Sequence, residues 1–160
     1  NRSQMVTWPV ADEFLTCLTV DLPDKVATVT QAAAKSYGHS KDELYDIAMR
    51  NVFATTEAER HDVPVSDGAE VITFSGSSFF VASLSLGLDV LLGEAPPLGR
   101  LVAIPNRHNV LCATITDDRS LDSLGLLVQA ARGMFVEGPG SITPYVYWVR
   151  NGGWKPLELG

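Results

Sequence analysis

The densest run of side chains able to do chemistry is Pro105-Asn106-Arg107-His108-Asn109. The guanidinium of Arg107 offers a planar fork for a carboxylate or phosphate, and the imidazole of His108 exchanges protons near neutral pH. One function this run suggests is a hydrolase or small-anion-binding enzyme centred on Arg107 and His108, with Asn106 beside them and a distant acid such as Asp62 brought close by folding. The same residues have a plainer use. Asn and Pro suit turns for backbone reasons, and an arginine at a hairpin commonly pairs with a neighbouring acid.

His39, His61-Asp62 and Asp89 follow one another in the order that metal-dependent phosphohydrolases use for their ligands. Those sites carry the His-Asp pair on a helix, whereas Pro64 makes the chain here extended, so His61 and Asp62 read as polar positions of an exposed segment. Ser75, Ser77 and Ser78 surround Gly76, but neither a Gly-x-Ser-x-Gly elbow nor a Gly-x-x-x-x-Gly-Lys loop is present. No catalytic nucleophile stands out. Three histidines and two cysteines lack any short ligand spacing, so neither a metal site nor a cofactor is expected.

The elements that must position these groups follow from periodicity. Phe14 to Val20 and Val26 to Val29 read as two strands about a Leu22-Pro23-Asp24 turn, and a short helix follows from Thr30 to Ser36, ended by Gly38. Ser40-Lys41-Asp42-Glu43 is a capping box opening a helix to about Phe53, with Leu44, Ile47, Ala48 and Val52 on one face. After the polar stretch Thr55 to Arg60, Pro64 confines any strand through Val63-Pro64-Val65 to a sheet edge, and Glu70 to Phe74 is a second strand. Phe80, Leu84, Leu88 and Leu91 give Phe79 to Leu92 the pattern of a helix buried on most sides. Leu101 to Ile104 and Val110 to Ile115 form a hairpin across the five-residue connection of Pro105 to Asn109. Ser120 or Asp118 caps a last helix carrying Leu121, Leu124, Leu127, Val128, Ala131 and Met134, which Gly138-Pro139-Gly140 breaks. Asn151-Gly152 then joins Tyr145–Arg150 to Trp154–Leu159 as a closing hairpin.

In that hairpin Tyr145, Tyr147 and Val149 alternate with Val146, Trp148 and Arg150. One set belongs to the core. The other, continued by Trp154, offers an aromatic surface of the kind enriched at protein interfaces, and Trp148 and Tyr147 are therefore candidates for partner contact. Strands that arrive in adjacent pairs define an α+β class, a mainly antiparallel sheet with about three helices packed against it, in one domain spanning residues 1–160.

Composition narrows the partners. With 46% apolar and 19% charged residues the chain should fold. Its net charge of −7 argues against nucleic acid, and the scattered basic residues leave no polybasic stripe for an anionic membrane. Phe79 to Leu92, at fourteen residues, is too short to span a bilayer. Cys17 and Cys112 sit in apolar strands as small buried hydrophobes, although a disulfide between them is a second reading. No charged segment followed by an apolar run opens the chain, which gives the expectation of a reducing, cytoplasmic compartment.

Three segments carry a family resemblance: Ser40 to Val52, Leu101 to Arg107, and Pro144 to Trp148. A helix with an Ala-x-x-Asn pattern followed by a strand leading into Pro-x-Arg resembles the YtpQ-like family of uncharacterised bacterial proteins. The resemblance implies an α+β fold and no particular activity. The leading functional expectation is a cytoplasmic, non-enzymatic interaction domain of the adaptor, chaperone or toxin-neutralising type. Its partner would be another protein, bound through Arg107, His108, Asn106, Trp148 and Tyr147.

Overall fold

The computed structural model describes residues 1–158, and the chain falls into two compact units, 1–55 and 56–160. The expected C-terminal residue of the closing hairpin, Leu159, lies outside the described residues.

In the first unit, β1 (Thr7–Ala11) pairs antiparallel with β2 (Phe14–Cys17), and β3 (Thr19–Leu22) with β4 (Lys25–Thr28). The Pro23-Asp24 turn falls where the sequence puts it, with Leu22 opposite Lys25. The run Phe14 to Val20, however, is not one strand. Leu18 donates its N–H to the Val6 carbonyl (2.9 Å) and accepts from the Val29 N–H (2.9 Å), while Val6 N–H donates to Val29 (3.2 Å). This ring of backbone bonds hands the chain from one sheet to the other at Leu18. Val6, Leu18 and Val29 are 6%, 8% and 4% exposed and form the unit's core with Ala34 and Leu44.

Two helices complete the unit. Thr30 caps α1 (Gln31–Lys35) by accepting from the Ala33 N–H, and Gly38 has φ +70°. The capping box of α2 (Lys41–Thr55) forms as expected: Ser40 Oγ accepts from the Glu43 N–H at 3.1 Å, and the Glu43 carboxylate accepts from the Ser40 N–H at 2.9 Å. Leu44 is buried, Ala48 packs on the same cluster, and Tyr45 meets Trp8 edge-on at 5.3 Å.

The second unit is a six-stranded, wholly antiparallel sheet. Its strands are β5 (Glu59–Ser66), β6 (Ala69–Ser75), β7 (Arg100–Asn106), β8 (Asn109–Thr114), β9 (Val146–Arg150) and β10 (Gly153–Pro156), in the order β10-β9-β7-β8-β6-β5. The α+β class read from the sequence, mainly antiparallel sheet with helices packed against it, is the observed one. Every residue of the central strand β7 is buried, and every residue of the edge strand β5 is exposed. β5 begins at Glu59, so it takes in the end of the stretch read as polar connection. Pro64, a register shift between Pro64 and Ser66, and the Arg60–Asp62 ion pair (2.7 Å) blunt this edge against further strand pairing.

Each sheet face carries a helical layer. Helix α4, Leu124–Glu137, buries Leu127 and Ala131 against Val71, Leu101, Ala103, Leu111, Ala113 and Val146. Its start differs from the sequence reading. Asp117 caps a 3₁₀ turn, Asp118–Ser123, in a capping box with Ser120, and α4 begins only after it, which leaves Leu121 49% exposed rather than on the core face.

On the opposite face, Phe79 to Leu92 is not one helix. It is a 3₁₀ stretch, Val81–Gly87, followed by the short α3 (Leu88–Leu92), with Gly87 at non-helical φ −144°, ψ 47° between them. Val81, Leu84 and Leu88 are the buried apolar positions, a spacing of three and then four that fits a 3₁₀ turn running into an α turn. The buried Arg100 ties this layer down, donating to the Asp89 carboxylate and to the Gly93 carbonyl (2.7 Å). Among the described residues no helix is long and apolar enough to cross a membrane.

Candidate interaction site at the Arg107–His108 turn

The hairpin of β7 and β8 closes in two residues, Arg107 and His108, rather than across five. Asn106 pairs with Asn109, and a register shift between Ala103 and Asn106 absorbs Pro105 into the strand. A proline has no N–H to give a ladder and is tolerated at such a bulge. Its carbonyl accepts from the Ile142 N–H at 2.9 Å.

Asn106 is only 2% exposed. Its Oδ1 accepts from the His108 N–H (3.0 Å) and from Asn109 Nδ2 (2.9 Å), and its Nδ2 donates to the Met134 carbonyl (3.1 Å), near the end of α4. Its oxygen and its amide nitrogen both bond within the fold and the side chain is buried, so the expectation of Asn106 as a binding residue gives way to a structural role.

His108 is held on both sides. Arg107 Nε donates to its Nε2 at 3.1 Å, so the ring proton is on Nδ1, which faces the carbonyls of Gly76 (3.0 Å) and Ser78 (3.2 Å). In this tautomer neither ring nitrogen is left over to take a proton from a substrate. The loop after β6 is fixed to the turn by further bonds, Gly76 N–H to the His108 carbonyl (3.2 Å) and Ala82 N–H to the Arg107 carbonyl (3.0 Å).

Like His108 and Asn109, Arg107 is partly exposed. Its guanidinium carbon lies 4.8 Å from the centroid of the Phe79 ring, and Phe79 is 46% exposed. Gly140 (φ +68°) forms the other wall, where a Cβ would stand 2.7 Å from Arg107 Cδ. Among the described residues, none of the ion pairs uses Arg107. Among the described residues the terminal nitrogens therefore have no acid partner, in a chain with 19 acidic and 12 basic residues.

The aromatic surface expected on β9 does not form. Tyr147 is fully buried, with its hydroxyl 3.0 Å from Thr143 Oγ1 and its ring 5.8 Å from that of Trp154. Trp148 is half-buried against the α4 core, donates Nε1 to the Leu98 carbonyl (2.8 Å) and carries Arg150 over its ring at 5.5 Å. Tyr147 is enclosed on one face of β9 and Trp148 packs against the α4 cluster on the other, whereas Tyr145, just before the strand, is 51% exposed. Trp148 also pairs with Leu101, six residues along β7 from Arg107, about 20 Å at strand spacing, so the two do not share a site.

The other sequence candidates stay apart. His61 and Asp62 project to opposite faces of β5, engaged by Glu59 (3.4 Å) and Arg60 (2.7 Å), and Asp89 belongs to Arg100. His39 pairs with Glu43 in the first unit. Among the described residues no cluster of three or more His, Cys, Asp or Glu could hold a metal ion. Cys17 and Cys112 are both free thiols, and burial pushes Cys112 up to about 12.

Two residues of consequence were missed in the sequence. In the sequence Phe79 merges into an apolar run, although the Gly-Ser-Ser stretch before it marks a loop end. Arg100 has no local signal for burial, since its partners Asp89 and Gly93 are set by the fold of the 3₁₀–α3 layer.

In comparisons with protein-family models, curated proteins and solved structures, none matches this chain.

Proposed function

We propose that the second unit is a non-enzymatic protein-interaction domain, of the adaptor, chaperone or toxin-neutralising type, that meets its partner through Phe79 and Arg107. One observation carries this reading: a half-exposed aromatic ring stacked under an arginine whose terminal nitrogens have no acid partner among the described residues. Arginine and aromatic residues are the side chains most enriched where binding energy concentrates, and a stacked pair is already ordered before the partner arrives. A carboxylate or backbone carbonyl of the partner fits the free side of the guanidinium. The negative field of the chain would draw a partner of basic surface toward it.

A cytoplasmic setting accords with the two free thiols. The resemblance to YtpQ-like bacterial proteins accords with the α+β fold and adds no activity. The second reading, a hydrolase or small-anion-binding enzyme at Arg107 and His108, keeps the support of the unpaired guanidinium nitrogens but has no free base in His108.

The test is affinity capture from cells that make the protein, comparing the natural sequence with Phe79→Ala and Arg107→Ala. A partner retained by the natural chain and lost by about tenfold or more in each variant is the expected result. Equal recovery in all three would refute the assignment, and tight binding of inorganic phosphate at Arg107 would favour the second reading.

A further inference from the structure

A cleft of about 240 Å³ opens in the first unit, lined by Val6, Gln31, Ala34, Lys35, His39, Lys41 and Leu44. Its chemistry is divided. Val6, Ala34 and Leu44, at 6%, 7% and 8% exposed, are three of the five buried side chains of this unit's core and supply an apolar floor. The rim is basic or neutral, with no Asp or Glu among the lining residues.

The cations on that rim are not neutralised locally. Neither Lys35 nor Lys41 takes part in an ion pair among the described residues, and Lys41 is steadied by the Trp8 ring, with Nζ 5.4 Å from its centroid. Of the two acids in the first turn of α2, Asp42 is in none of the ion pairs among the described residues and Glu43 already accepts from the Ser40 N–H and from His39. Gln31 is anchored by donating Nε2 to the carbonyls of Ser3 (3.2 Å) and Met5 (3.3 Å), which holds this wall in place.

From this division we infer that the cleft binds a short unbranched aliphatic carboxylate, its head group between Lys35 and Lys41 and its tail on Val6, Ala34 and Leu44. Two lysines call for an anion, and the apolar floor calls for a hydrocarbon that an inorganic ion cannot supply. The volume lies below the roughly 300–1,000 Å³ of sites for larger ligands, so the tail is on the order of six carbons. The inference concerns a different unit from the Phe79–Arg107 surface and stands or falls separately from it.

Sodium hexanoate, sodium acetate, sodium phosphate and hexanol are titrated into the full chain at constant ionic strength, following the methyl resonances of Val6, Ala34 and Leu44. Saturable hexanoate binding, about tenfold or more tighter than acetate, phosphate or hexanol, is expected. Lys35→Gln/Lys41→Gln, both at exposed positions, should weaken hexanoate about tenfold while leaving hexanol unchanged. The inference is overturned if hexanoate shows no saturation, if acetate, phosphate or hexanol binds as tightly, or if the double variant with an unchanged amide spectrum binds hexanoate like the natural chain.

Discussion

Arg107 Nε donates to His108 Nε2 across 3.1 Å, and the two residues together make the whole turn between β7 and β8. The bond aligns the guanidinium with the Phe79 ring at 4.8 Å and turns Nδ1 of the imidazole toward the loop after β6. His108 is thus a positioning residue. It sets where Arg107 can point, and Arg107 and Phe79 present the surface.

Replacing His108 with Ala should therefore cost stability as well as order. The substitution leaves Arg107 Nε and the Gly76 and Ser78 carbonyls without their ring partner, for a loss of about 1–3 kcal/mol. Arg107→Ala, which removes only a partly exposed stack and one donor, should cost about 1 kcal/mol or less. Urea unfolding of both variants checks the contrast, and a larger loss for Arg107→Ala would show that the arginine is the structural member of the pair.

Gly140 gives an independent handle on the same wall. Its φ of +68° disfavours any side chain, and a Cβ would stand 2.7 Å from Arg107 Cδ. Gly140→Ala should lower stability by about 1 kcal/mol or more and shift Arg107 off the Phe79 ring. Chemical shifts of the Phe79 ring protons report the displacement, and an unchanged ring environment would contradict the packing described.

Much of this arrangement was legible in the sequence and some was not, for identifiable reasons. Local signals held. The Ser40–Glu43 capping box, the Asn151-Gly152 turn with φ of +51° and +75°, and the edge position forced by Pro64 all act within a few residues and appear as read. Segments of uniform apolarity misled. Phe79 to Leu92 fits helical periodicity in several phases, so the break at Gly87 and the outward turn of Phe79 were not encoded in the pattern. Strand alternation on β9 separates Tyr147 from Trp148 correctly, but it does not tell that both rings are engaged, Tyr147 by burial and Trp148 against the α4 cluster. Candidate residues grouped by chemistry at the turn divide in the structure into the buried Asn106, and a bonded pair of partly exposed residues, His108 with both ring nitrogens engaged and Arg107 with its guanidinium beside Phe79.

Thiol chemistry should separate the two cysteines. Burial pushes Cys112 up to about 12, and it raises Cys17, which is only half-buried, by less drastic enclosure. Over about pH 7 to 9 the native chain should take up one alkyl group slowly, at Cys17, and a second only after denaturation. Mass spectrometry of peptides after iodoacetamide treatment counts them, and native labelling of Cys112 would mean that the β8 core opens.

The α2 cap should depend on pH in one direction. The Glu43 carboxyl is held below the ordinary glutamate value, first by the Ser40 backbone N–H and then by His39. A group lowered in the folded state stabilises fully above its unfolded pKa, about 4.3 for glutamate, and loses that contribution as pH falls through the folded value. Glu43→Ala should therefore weaken exchange protection of the first amides of α2 at neutral pH, and the difference from the natural chain should fade in acid. A difference that grows on acidification would reverse the assignment.

The surface at Phe79 and Arg107 is tested most directly by placing a photo-crosslinking amino acid at residue 79 and, as a control, at Val90, which is 70% exposed in the same unit. Irradiation in cells that make the protein should give one discrete protein adduct at position 79, lost when Arg107→Glu is added, and none at position 90. No adduct at 79, or the same adducts at both positions and with Arg107→Glu, would contradict the account.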